Sequence, residues 1–505
     1  MINLKASLAN LAWGTACQAA RWRMSRALDH PESAQLAVLQ RLLRANAGTV
    51  FGREHKLSYV KNARELQEAV PIRDYDGFEA WIERVKAGEA NVLTAEPVLA
   101  FERSSGSTSA SKYIPYTATL RSEFKEAVRA WMGDLYAQHP SLMGGPAYWL
   151  ISPLNHLREF TSGGIPVGFE TDTDYLGAVE RKLASWLFAV PSELSQVQNL
   201  DESMDLTLKF LIKQPELRLI SIWNPSYLTL LWQRFLERKD EFIQTAGRSV
   251  MHPRDLWPRL KVVSGWADGA AETDATKASA LFNHAKFQPK GLLATEGAVT
   301  LPWGRGPGSV PALHSHFLEF IETGSTRALL VHELEEEREY EVLLSTSGGL
   351  WRYRLGDVVR VVGWQGRTPR LRFIGRADGV CDLRGEKLNP RFVSGSLRKL
   401  TTGFAMLAPA NTAAVPHYIL FADHSAPDMA QRLDERLALN PHYAHCRRAG
   451  QLGPLRVFVI TEEPRAAYLR RCEYLGQRTG TVKSTPLHRV AGWETWFKGN
   501  FMEDA

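Results

Sequence analysis

A hydroxyl-rich run at residues 104–112, Ser-Ser-Gly-Ser-Thr-Ser-Ala-Ser-Lys, restricts the fold of this chain more than any other feature. An apolar segment precedes the run and Tyr113-Ile114-Pro115-Tyr116 follows it, which predicts a flexible turn between two extended segments. Such a turn can wrap its amides and hydroxyls around a phosphate chain, with Lys112 adding positive charge. Because no helix-opening glycine precedes Lys112, the run differs from the phosphate loop of the common NTPases. A solvated linker is the alternative interpretation.

Length, composition and charge limit the number of domains and the classes of partner that this chain can have. The 505 residues are too many for one core, which predicts about three domain-sized units or a large unit with a small one. With 44% hydrophobic and 23% charged residues, the composition is that of an ordinary soluble globular protein. A net charge of +6 and a pI near 9.0 suit anionic substrates and do not indicate a nucleic-acid partner.

Cysteine usage and the N-terminus predict a cytoplasmic protein without an integral membrane segment. The chain has four cysteines and no Cys-x-x-Cys pair, which favours a reducing compartment. Residues 1–21 form a poor secretory signal and are too short an apolar stretch to span a bilayer. They suit an amphipathic helix instead.

Hydrophobic periodicity predicts an α/β fold. The first hundred residues have helical spacing, and Thr119 is a candidate cap for a helix after the hydroxyl-rich run. Short apolar runs at 147–152, 217–223 and 260–264 then alternate with helical segments, including one at 224–238. This alternation predicts a largely parallel sheet.

The last third of the chain changes character. Residues 327–378 consist of strand-like runs joined by glycine-rich turns, which predicts a β-rich subdomain. Beyond Asp378, strands at 415–422 and 455–461 alternate with helices such as 429–439, which predicts a compact α+β unit. The predicted domains are therefore a large one at 1–378 and a small one at 379–505.

Two short motifs in the large domain suit nucleotide chemistry. Leu-Leu-Ala-Thr-Glu-Gly at 292–297 is an apolar strand ending at Thr295, which can donate to a phosphate oxygen, and Glu296, a hard oxygen ligand for Mg²⁺. In Tyr-Arg-Leu-Gly-Asp at 353–357, Asp357 follows a turn glycine and suits the two hydroxyls of a ribose. A surface glutamate and a turn-capping Gly-Asp pair are the structural alternatives.

Two further motifs lie at and beyond the predicted boundary. Gly-Arg-Ala-Asp-Gly at 375–379 is a plausible hinge with Arg376 free to reach a nucleotide. Gly-Thr-Val-Lys-Ser-Thr-Pro at 480–486 holds Lys483 between a glycine turn and a proline, from where it could swing into an active site. Each motif taken singly is more readily structural, and the order of all of them along the chain favours function.

With these motifs in this order, the chain resembles the adenylate-forming superfamily. The run at 104–112 resembles its Thr/Ser-Ser-Gly-Ser/Thr-Thr-Gly-x-Pro-Lys loop, with Ser109 and Ser111 replacing the second glycine and the proline. Within the superfamily, the chain is identified as a bacterial-type member of the Gretchen Hagen (auxin-responsive promoter) acyl acid amido synthetases. The resemblance spans nearly the whole chain and includes these segments: 46–52 (NAGTVFG), 70–75 (VPIRDY), 76–93, 222–226 (IWNPS) and 440–455.

The resemblance implies a role for each site residue. Ser105, Gly106, Ser107 and Thr108 would hold the β- and γ-phosphates of ATP, and Lys112 would close the loop. Thr295 and Glu296 would meet the α-phosphate and Mg²⁺, Asp357 the ribose, and Arg376 the ribose or α-phosphate. Asp378 would be the hinge, and Lys483 the mobile lysine that stabilises charge on the reacting groups. Leu292 stands where plant members carry an adenine-stacking aromatic, and Trp266 is a candidate replacement.

The implied activity has two steps: a carboxylic acid is adenylated by ATP, and the acyl group is then transferred to an amine such as an amino acid. An acyl-CoA ligase of the phenylacetate type is the alternative enzyme, and a non-catalytic binding protein is the alternative of another class. Abundant tryptophan and phenylalanine before residue 330 suit an aromatic acid, although core packing explains them equally well. His442, His445 and Cys446 lack the further ligands of a zinc site, so a structural role is expected for them.

Overall fold

A computed structural model describes residues 3–104, 112–150, 159–168, 178–191, 193–194, 197, 200–323, 325–377, 381, 383–384, 386, 388–410, 415–475, 477 and 482–502. The chain forms two compact units. The first comprises Met1–Asp268 and Asp274–Phe373, and the second comprises Gly269–Thr273 and Ile374–Ala505. Asp378, the expected hinge, lies outside the described residues, so the position of the boundary there stays a prediction.

The described helices and strands alternate along most of the chain. The helices are α1 (Leu4–Asp29), α2 (Pro31–Asn46), α3 (Val50–Glu54), α4 (Ala63–Ala69), α5 (Glu79–Lys86), α6 (Ala118–Gln138), α7 (Ala178–Leu187), α8 (Leu200–Leu211), α9 (Ser226–Glu237), α10 (Lys239–Ala246), α11 (Pro253–Leu256), α12 (Glu272–Leu281), α13 (Pro390–Leu397), α14 (Met429–Leu437), α15 (Pro441–Arg448) and α16 (Pro464–Tyr474). The strands are β1 (Ala100–Ser104), β2 (Lys112–Tyr116), β3 (Ala147–Trp149), β4 (Glu159–Phe160), β5 (Pro166–Val167), β6 (Leu219–Ser221), β7 (Val262–Gly265), β8 (Lys286–Pro289), β9 (Leu293–Ala294), β10 (Gly297–Ala298), β11 (Thr300–Leu301), β12 (Val310–Pro311), β13 (Phe317–Glu322), β14 (Ala328–Leu330), β15 (Glu339–Ser345), β16 (Tyr353–Gln365), β17 (Thr368–Arg376), β18 (Ala405–Ala410), β19 (His417–Ala422), β20 (Arg456–Ile460) and β21 (Gly499–Phe501).

The predicted parallel sheet is present in the first unit. Its order is β3-β6-β7-β8, and every neighbouring pair is parallel. Three of its strands fall within the apolar runs that predicted them, and helix α9 follows the Asn224-Pro225 signal. The carboxyl ends of all four strands therefore lie along one edge, where ligands bind in sheets of this kind.

The hydroxyl-rich run connects two paired strands. β1 and β2 are antiparallel, with Ser104 opposite Lys112 at the end of the pair, so both ends of the run are held together. The run itself, residues 105–111, lies outside the described part. Helix α6 follows directly, and its cap is Thr117 rather than the expected Thr119. Thr117 accepts from the Leu120 amide (3.1 Å), whereas the Thr119 hydroxyl is bound to the Glu96 carboxylate.

The predicted β-rich segment forms a sheet of order β14-β13-β15-β16-β17. One expectation here is wrong in detail, because Asp357 does not lie in a turn before a strand. It lies inside the single long strand β16, whose register with β15 shifts between Glu341 and Leu343. Gly356 adopts φ +82° at this shift, so the Gly-Asp signal marks a β-bulge.

The second unit contains a mixed sheet of order β18-β19-β20-β21, with antiparallel outer pairs and a parallel centre. Its strands β19 and β20 and its helix α14 fall at the predicted positions. Cys381 and Cys446 pack in its apolar core, with Tyr443 and Leu433. All four cysteines of the chain are described and are buried thiols rather than disulfides. Among the described helices, none has the length and apolar content needed to cross a bilayer.

Candidate functional site

A short hairpin presents the predicted nucleotide residues Thr295 and Glu296. β9 and β10 pair antiparallel, and these two residues form the turn between them. The Glu296 carboxylate is only 6% exposed although it lies in a turn. Carboxylates are rarely buried unless they have a partner or a function. The burial of Glu296 therefore favours the functional interpretation of this motif over that of an ordinary surface glutamate.

Lys112 and Glu296 are joined through Tyr353, the first residue of the motif at 353–357, in which only Asp357 was expected to have a role. The Lys112 ammonium donates to the Tyr353 hydroxyl (3.5 Å), and that hydroxyl donates to Glu296 Oε1 (3.3 Å). Beside them, the Tyr116 hydroxyl donates to the Thr295 carbonyl (2.6 Å). The end of the hydroxyl-rich run and the Thr-Glu turn are thus neighbours, although 183 residues separate Lys112 from Thr295 in the sequence. We call Lys112, Thr295, Glu296 and Tyr353 the lysine–glutamate cluster.

The Val-Pro-Ile-Arg-Asp-Tyr segment at 70–75 supports the lysine–glutamate cluster. Arg73 forms a parallel bridge with Tyr353 at the start of β16, which fixes the segment against that strand. Tyr75 then accepts a hydrogen bond from the Tyr113 amide (2.9 Å), and the Lys112 ammonium lies 5.8 Å from its ring centroid. Burial raises the pKa of Tyr75 to about 12, so this hydroxyl stays protonated at neutral pH.

A buried ion pair holds the first residues of β16. The backbone of Arg352 adopts a left-handed conformation (φ +47°). Its guanidinium donates to Glu319 Oε2 (3.0 Å) and to the Val70 carbonyl (2.7 Å). Burial raises the pKa of Glu319, and the charge of Arg352 opposes that rise. The strained backbone and the ion pair lie directly before Tyr353 and hold the start of β16 against Glu319 and Val70.

His316 and Glu123 lie behind the hairpin turn. His316 is fully buried, and its Nε2 accepts from the Ala298 amide (3.0 Å), so Nδ1 carries the ring proton and lies 3.4 Å from Glu123 Oε2. A Cβ on Gly297 would come within 2.8 Å of this ring, so only glycine fits there. His316 lies in none of the sequence motifs, and its contacts with Ala298 and Glu123 come from distant parts of the chain.

The remaining predicted residues lie elsewhere. Asp357 is 4% exposed and lies on β16, four residues beyond Tyr353. Arg376, half-buried, is the last residue of β17 and belongs to the second unit. Lys483, also in the second unit, is exposed, and its carbonyl accepts from the Tyr468 hydroxyl (3.0 Å). The phosphate-loop residues Ser105, Gly106, Ser107 and Thr108 and the hinge Asp378 are outside the described part of the chain.

Leu292 and Trp266, the two positions linked to adenine stacking, are both described. Leu292 is buried, and its amide donates to the Thr300 hydroxyl (2.8 Å). Trp266 directly follows β7, and its ring centroid lies 5.7 Å from that of Trp223. Nothing in this arrangement assigns either residue to adenine.

Fold comparison defines the class of protein. GH3.15 acyl acid amido synthetase has a similar structure, with a TM-score of 0.78 at 16% identity over 95% of each chain. 2-Hydroxyisobutyryl-CoA ligase in its postadenylation state is less similar, with a TM-score of 0.56 at 11% identity over 92% of this chain and 90% of the ligase. The chain therefore shares the mixed α/β fold of these two enzymes, with a large N-terminal and a smaller C-terminal domain.

Sequence comparison gives the family. Residues 21–253, 309–376 and 395–489 match the models of the GH3 family N-terminal, central and C-terminal domains. Because these segments make up most of the chain, the protein belongs to the GH3 (Gretchen Hagen) family.

Individual relatives are distant in sequence. Jasmonoyl–L-amino acid synthetase JAR6 of Nicotiana attenuata is 22% identical over 84% of this chain and 86% of its own length. A probable indole-3-acetic acid-amido synthetase of Arabidopsis thaliana, GH3.1, is 21% identical over 85% of this chain and 84% of its own length. The match to the human GH3 domain-containing protein is 28% identical, but it spans only 41% of this chain and 44% of that protein.

Proposed function

We propose that this protein adenylates a carboxylic acid with ATP and then transfers the acyl group to an amine, forming an amide. Membership of the GH3 family and the names of its relatives support the reaction class. The observation that carries the proposal is the lysine–glutamate cluster, in which the last residue of the hydroxyl-rich run meets the buried Glu296 through Tyr353. A cation and a carboxylate beside a hydroxyl-rich loop suit a nucleoside triphosphate and its metal ion.

We assign ATP contacts on this basis. Ser105, Gly106, Ser107 and Thr108 would bind the β- and γ-phosphates, with Lys112 at the end of the loop supplying positive charge. Thr295 would donate to the α-phosphate. Asp357 would accept from the ribose hydroxyls, and Arg376 would bind the ribose or the α-phosphate.

Glu296 fits a Mg²⁺ ligand by its chemistry. Its carboxylate is a hard oxygen donor held in a buried turn, and a hydroxyl and a lysine lie on one side of it. Within the described residues no group of three or more acidic, histidine or cysteine side chains could hold a metal alone. Phosphate oxygens would therefore complete the coordination, as is usual for Mg²⁺ in ATP-dependent enzymes, where the ion neutralises phosphate charge.

In the first step, a carboxylate oxygen attacks the α-phosphorus of ATP, and pyrophosphate leaves to give an acyl-adenylate. The protein needs only to position the reactants and to offset negative charge. Lys112 would act on the phosphates of the leaving group, and Lys483 on the reacting carboxylate and α-phosphate.

In the second step, an amine attacks the carbonyl carbon of the acyl-adenylate. AMP leaves with the electron pair of the broken anhydride bond, and the nitrogen loses one proton. We propose that the C-terminal domain rotates about Asp378 between the steps, which removes Lys483 from the site after pyrophosphate has gone.

The acceptor distinguishes this proposal from its main alternative, an acyl-CoA ligase. The name of one relative, jasmonoyl–L-amino acid synthetase JAR6, supports an amino acid acceptor. Incubating the enzyme with ATP, an acid and either CoA or each amino acid, and then weighing the products, decides between thioester and amide. A solved structure of a GH3.15 enzyme holds 2,4-DB, so an aromatic acid is our first choice of substrate.

The central test is acid-dependent release of pyrophosphate. Glu296→Gln should lower kcat/KM for ATP by roughly 100-fold, because it removes a charge that meets the metal and phosphates. Glu336→Gln, in an exposed turn of the same unit, is the matched control and should change nothing. Equal activity of Glu296→Gln and wild type would contradict the assignment, and failure to bind ATP in calorimetry would favour a non-catalytic binding protein.

Two smaller proposals concern the cellular compartment of the enzyme and its place within the family. The low content of four cysteines in 505 residues supports a reducing cytoplasm. Leu292, in place of the aromatic of plant members, supports a bacterial-type member of the family.

A further inference from the structure

A row of polar side chains lies along the carboxyl edge of the parallel sheet. Trp149, Ser221, Ser264 and Gln288 are directly in register across β3, β6, β7 and β8. Residues in register on neighbouring strands point to the same face of a sheet. Accordingly, Gln288 accepts from the indole of Trp131, which lies on helix α6. This row belongs to none of the motifs that identified the nucleotide site.

Lys290 places a buried amine at this row. It lies two residues beyond Gln288 and is 6% exposed. Its ammonium donates to Ser221 Oγ (2.9 Å) and lies 4.4 Å from the ring centroid of Trp223 and 5.5 Å from that of Trp131. Within the described chain no carboxylate forms an ion pair with it, and burial alone lowers its pKa to about 7. A buried lysine without a counter-ion is rare in a folded protein.

Two neighbours in the row have no hydrogen-bond partner among the described residues. They are the Ser264 hydroxyl and the Trp149 indole N–H, and both are buried. Buried polar groups are normally satisfied, so each such group needs an explanation. Together with the Lys290 ammonium, they offer several hydrogen-bond donors and one positive charge at the edge where ligands enter parallel sheets. This chemistry suits an anionic oxygen.

Helix α6 shows that the row is distant from the nucleotide site. Tyr116, two residues before the helix, contacts Thr295, whereas Trp131 lies beside Lys290. From Ala118 to Trp131 the helix rises roughly 20 Å at 1.5 Å per residue. The backbone between Lys290 and Thr295 permits such a separation, since five residues can span at most about 17 Å when fully extended. The carboxylate that reacts near Glu296 is therefore not the partner of Lys290.

We propose that Lys290 is the counter-ion for a second acidic oxygen at the far end of the acyl substrate. The protein then selects acids that carry a carboxylate or an acidic phenol opposite the reacting carboxylate, with an aromatic body against Trp131, Trp149 and Trp223. This inference rests on the proposed adenylation of a carboxylic acid, and it names the class of acid. An anionic group bound at this site would raise the pKa of the Lys290 amine, because its negative charge stabilises the ammonium in place of the lost water. The amine would then take up a proton when the anion binds.

Pairs of acids with the same shape, one with and one without a second acidic group, test whether Lys290 recognises that group. Para-carboxyphenylpropanoic acid is compared with its para-carbamoyl analogue, which has the same shape without the charge, and para-hydroxyphenylpropanoic acid with its para-methyl analogue. Binding of each acid is measured by calorimetry at pH 8 in two buffers of different ionisation enthalpy. With a pKa of about 7, the free amine is mostly neutral at pH 8, so binding of the diacid should take up about 0.9 proton. The carbamoyl analogue should take up none, and a phenol that supplies its own proton should bind without net uptake.

Lys290→Met removes the charge and keeps the length of the side chain. In wild type, kcat/KM for pyrophosphate release should be at least roughly 10-fold higher for the diacid than for its carbamoyl analogue, since charge-assisted hydrogen bonds are the stronger ones. In Lys290→Met the ratio should fall to about 1, and the proton uptake should vanish. Lys286 is an exposed lysine on β8, the strand that Lys290 directly follows, so Lys286→Met is the matched control and should keep both the ratio and the uptake.

The outcomes separate the two proposals. If the diacid binds with proton uptake that depends on Lys290 but no acid releases pyrophosphate, the reaction assignment fails and the assignment of Lys290 stands. If pyrophosphate is released with no preference for a second acidic group, or if the diacid binds without proton uptake, the inference about Lys290 is wrong. The wild-type comparison of the two analogues decides this even if the Lys290→Met variant does not fold.

Discussion

Replacing Lys290 with methionine should stabilise the protein at neutral pH, and the gain should disappear in alkaline solution. The lysine is buried beside Ser221 and two tryptophans, and burial lowers its pKa from 10.5 to about 7. Each pKa unit corresponds to 1.36 kcal/mol, so the protonated amine destabilises the fold by about 5 kcal/mol. Methionine carries no charge to desolvate, but it leaves Ser221 without its donor, which costs about 1 kcal/mol.

The sign of the pH dependence follows from proton binding. Between pH 7 and 10.5 the unfolded chain holds the proton on this lysine and the folded chain does not. The free energy of unfolding of wild type therefore rises with pH across this interval, whereas Lys290→Met lacks that rise. The advantage of the variant should be about 3 kcal/mol at pH 7, about 1 kcal/mol at pH 9, and absent near pH 10.

Urea denaturation followed by circular dichroism at pH 7, 8, 9 and 10 measures this difference. Lys286→Met, at an exposed lysine on β8, the strand that Lys290 directly follows, controls for general effects of removing a positive charge. A difference between Lys290→Met and wild type that stays constant from pH 7 to pH 10 would mean that the amine titrates normally. Destabilisation by the variant at pH 7 would mean that the ammonium has a counter-charge, and either result would refute the reasoning.

Three other substitutions test the proposed mechanism. Lys483→Ala should nearly abolish pyrophosphate release yet spare transfer from a supplied acyl-adenylate, and equal loss in both assays would exclude its assigned role. Asp378→Pro should retain ATP–pyrophosphate exchange but lose amide formation, because proline restricts the rotation that the second step needs; normal amide yield would rule out a hinge there. Gly297→Ala should raise the KM for ATP at least roughly 10-fold, since its Cβ would clash with the buried ring of His316 and displace the Thr-Glu turn; an unchanged KM would show that the turn tolerates the shift.

Local sequence patterns predicted elements whose signals are complete within a few residues. The apolar runs that became β3, β6 and β7 lie between helical segments, and that order is sufficient to predict a parallel sheet. The paired strands around the hydroxyl-rich run were likewise predictable from its flanks. Thr117 and Thr119 were not separable by sequence, because both are hydroxyl residues at a helix start. The distant Glu96 decides between them by binding Thr119.

The features that the sequence could not predict depend on pairing and contacts between segments that are distant in the chain. Gly356-Asp357 signals a turn and a β-bulge equally well, and only the pairing of β16 with β15 distinguishes them. Tyr353 joins Lys112 to Glu296 across separations of 241 and 57 residues, and no pattern within either segment indicates the contact. Lys290 is similar, since its partner Ser221 is 69 residues away on a strand that is not its neighbour.

One continuous segment links the two ends of the proposed acyl site. Residues 290–296 run from the buried amine at the edge of the parallel sheet to the carboxylate in the hairpin turn. Each end is held by different neighbours: the Lys290 amide donates to the Gly265 carbonyl (2.7 Å) within the sheet, while the Thr295 carbonyl is held by Tyr116. An acid with charges at both ends would thus be selected by the distance between these two anchored ends. Selection by length and by charge would then arise from the same seven residues, and moving either end should change which acids are accepted.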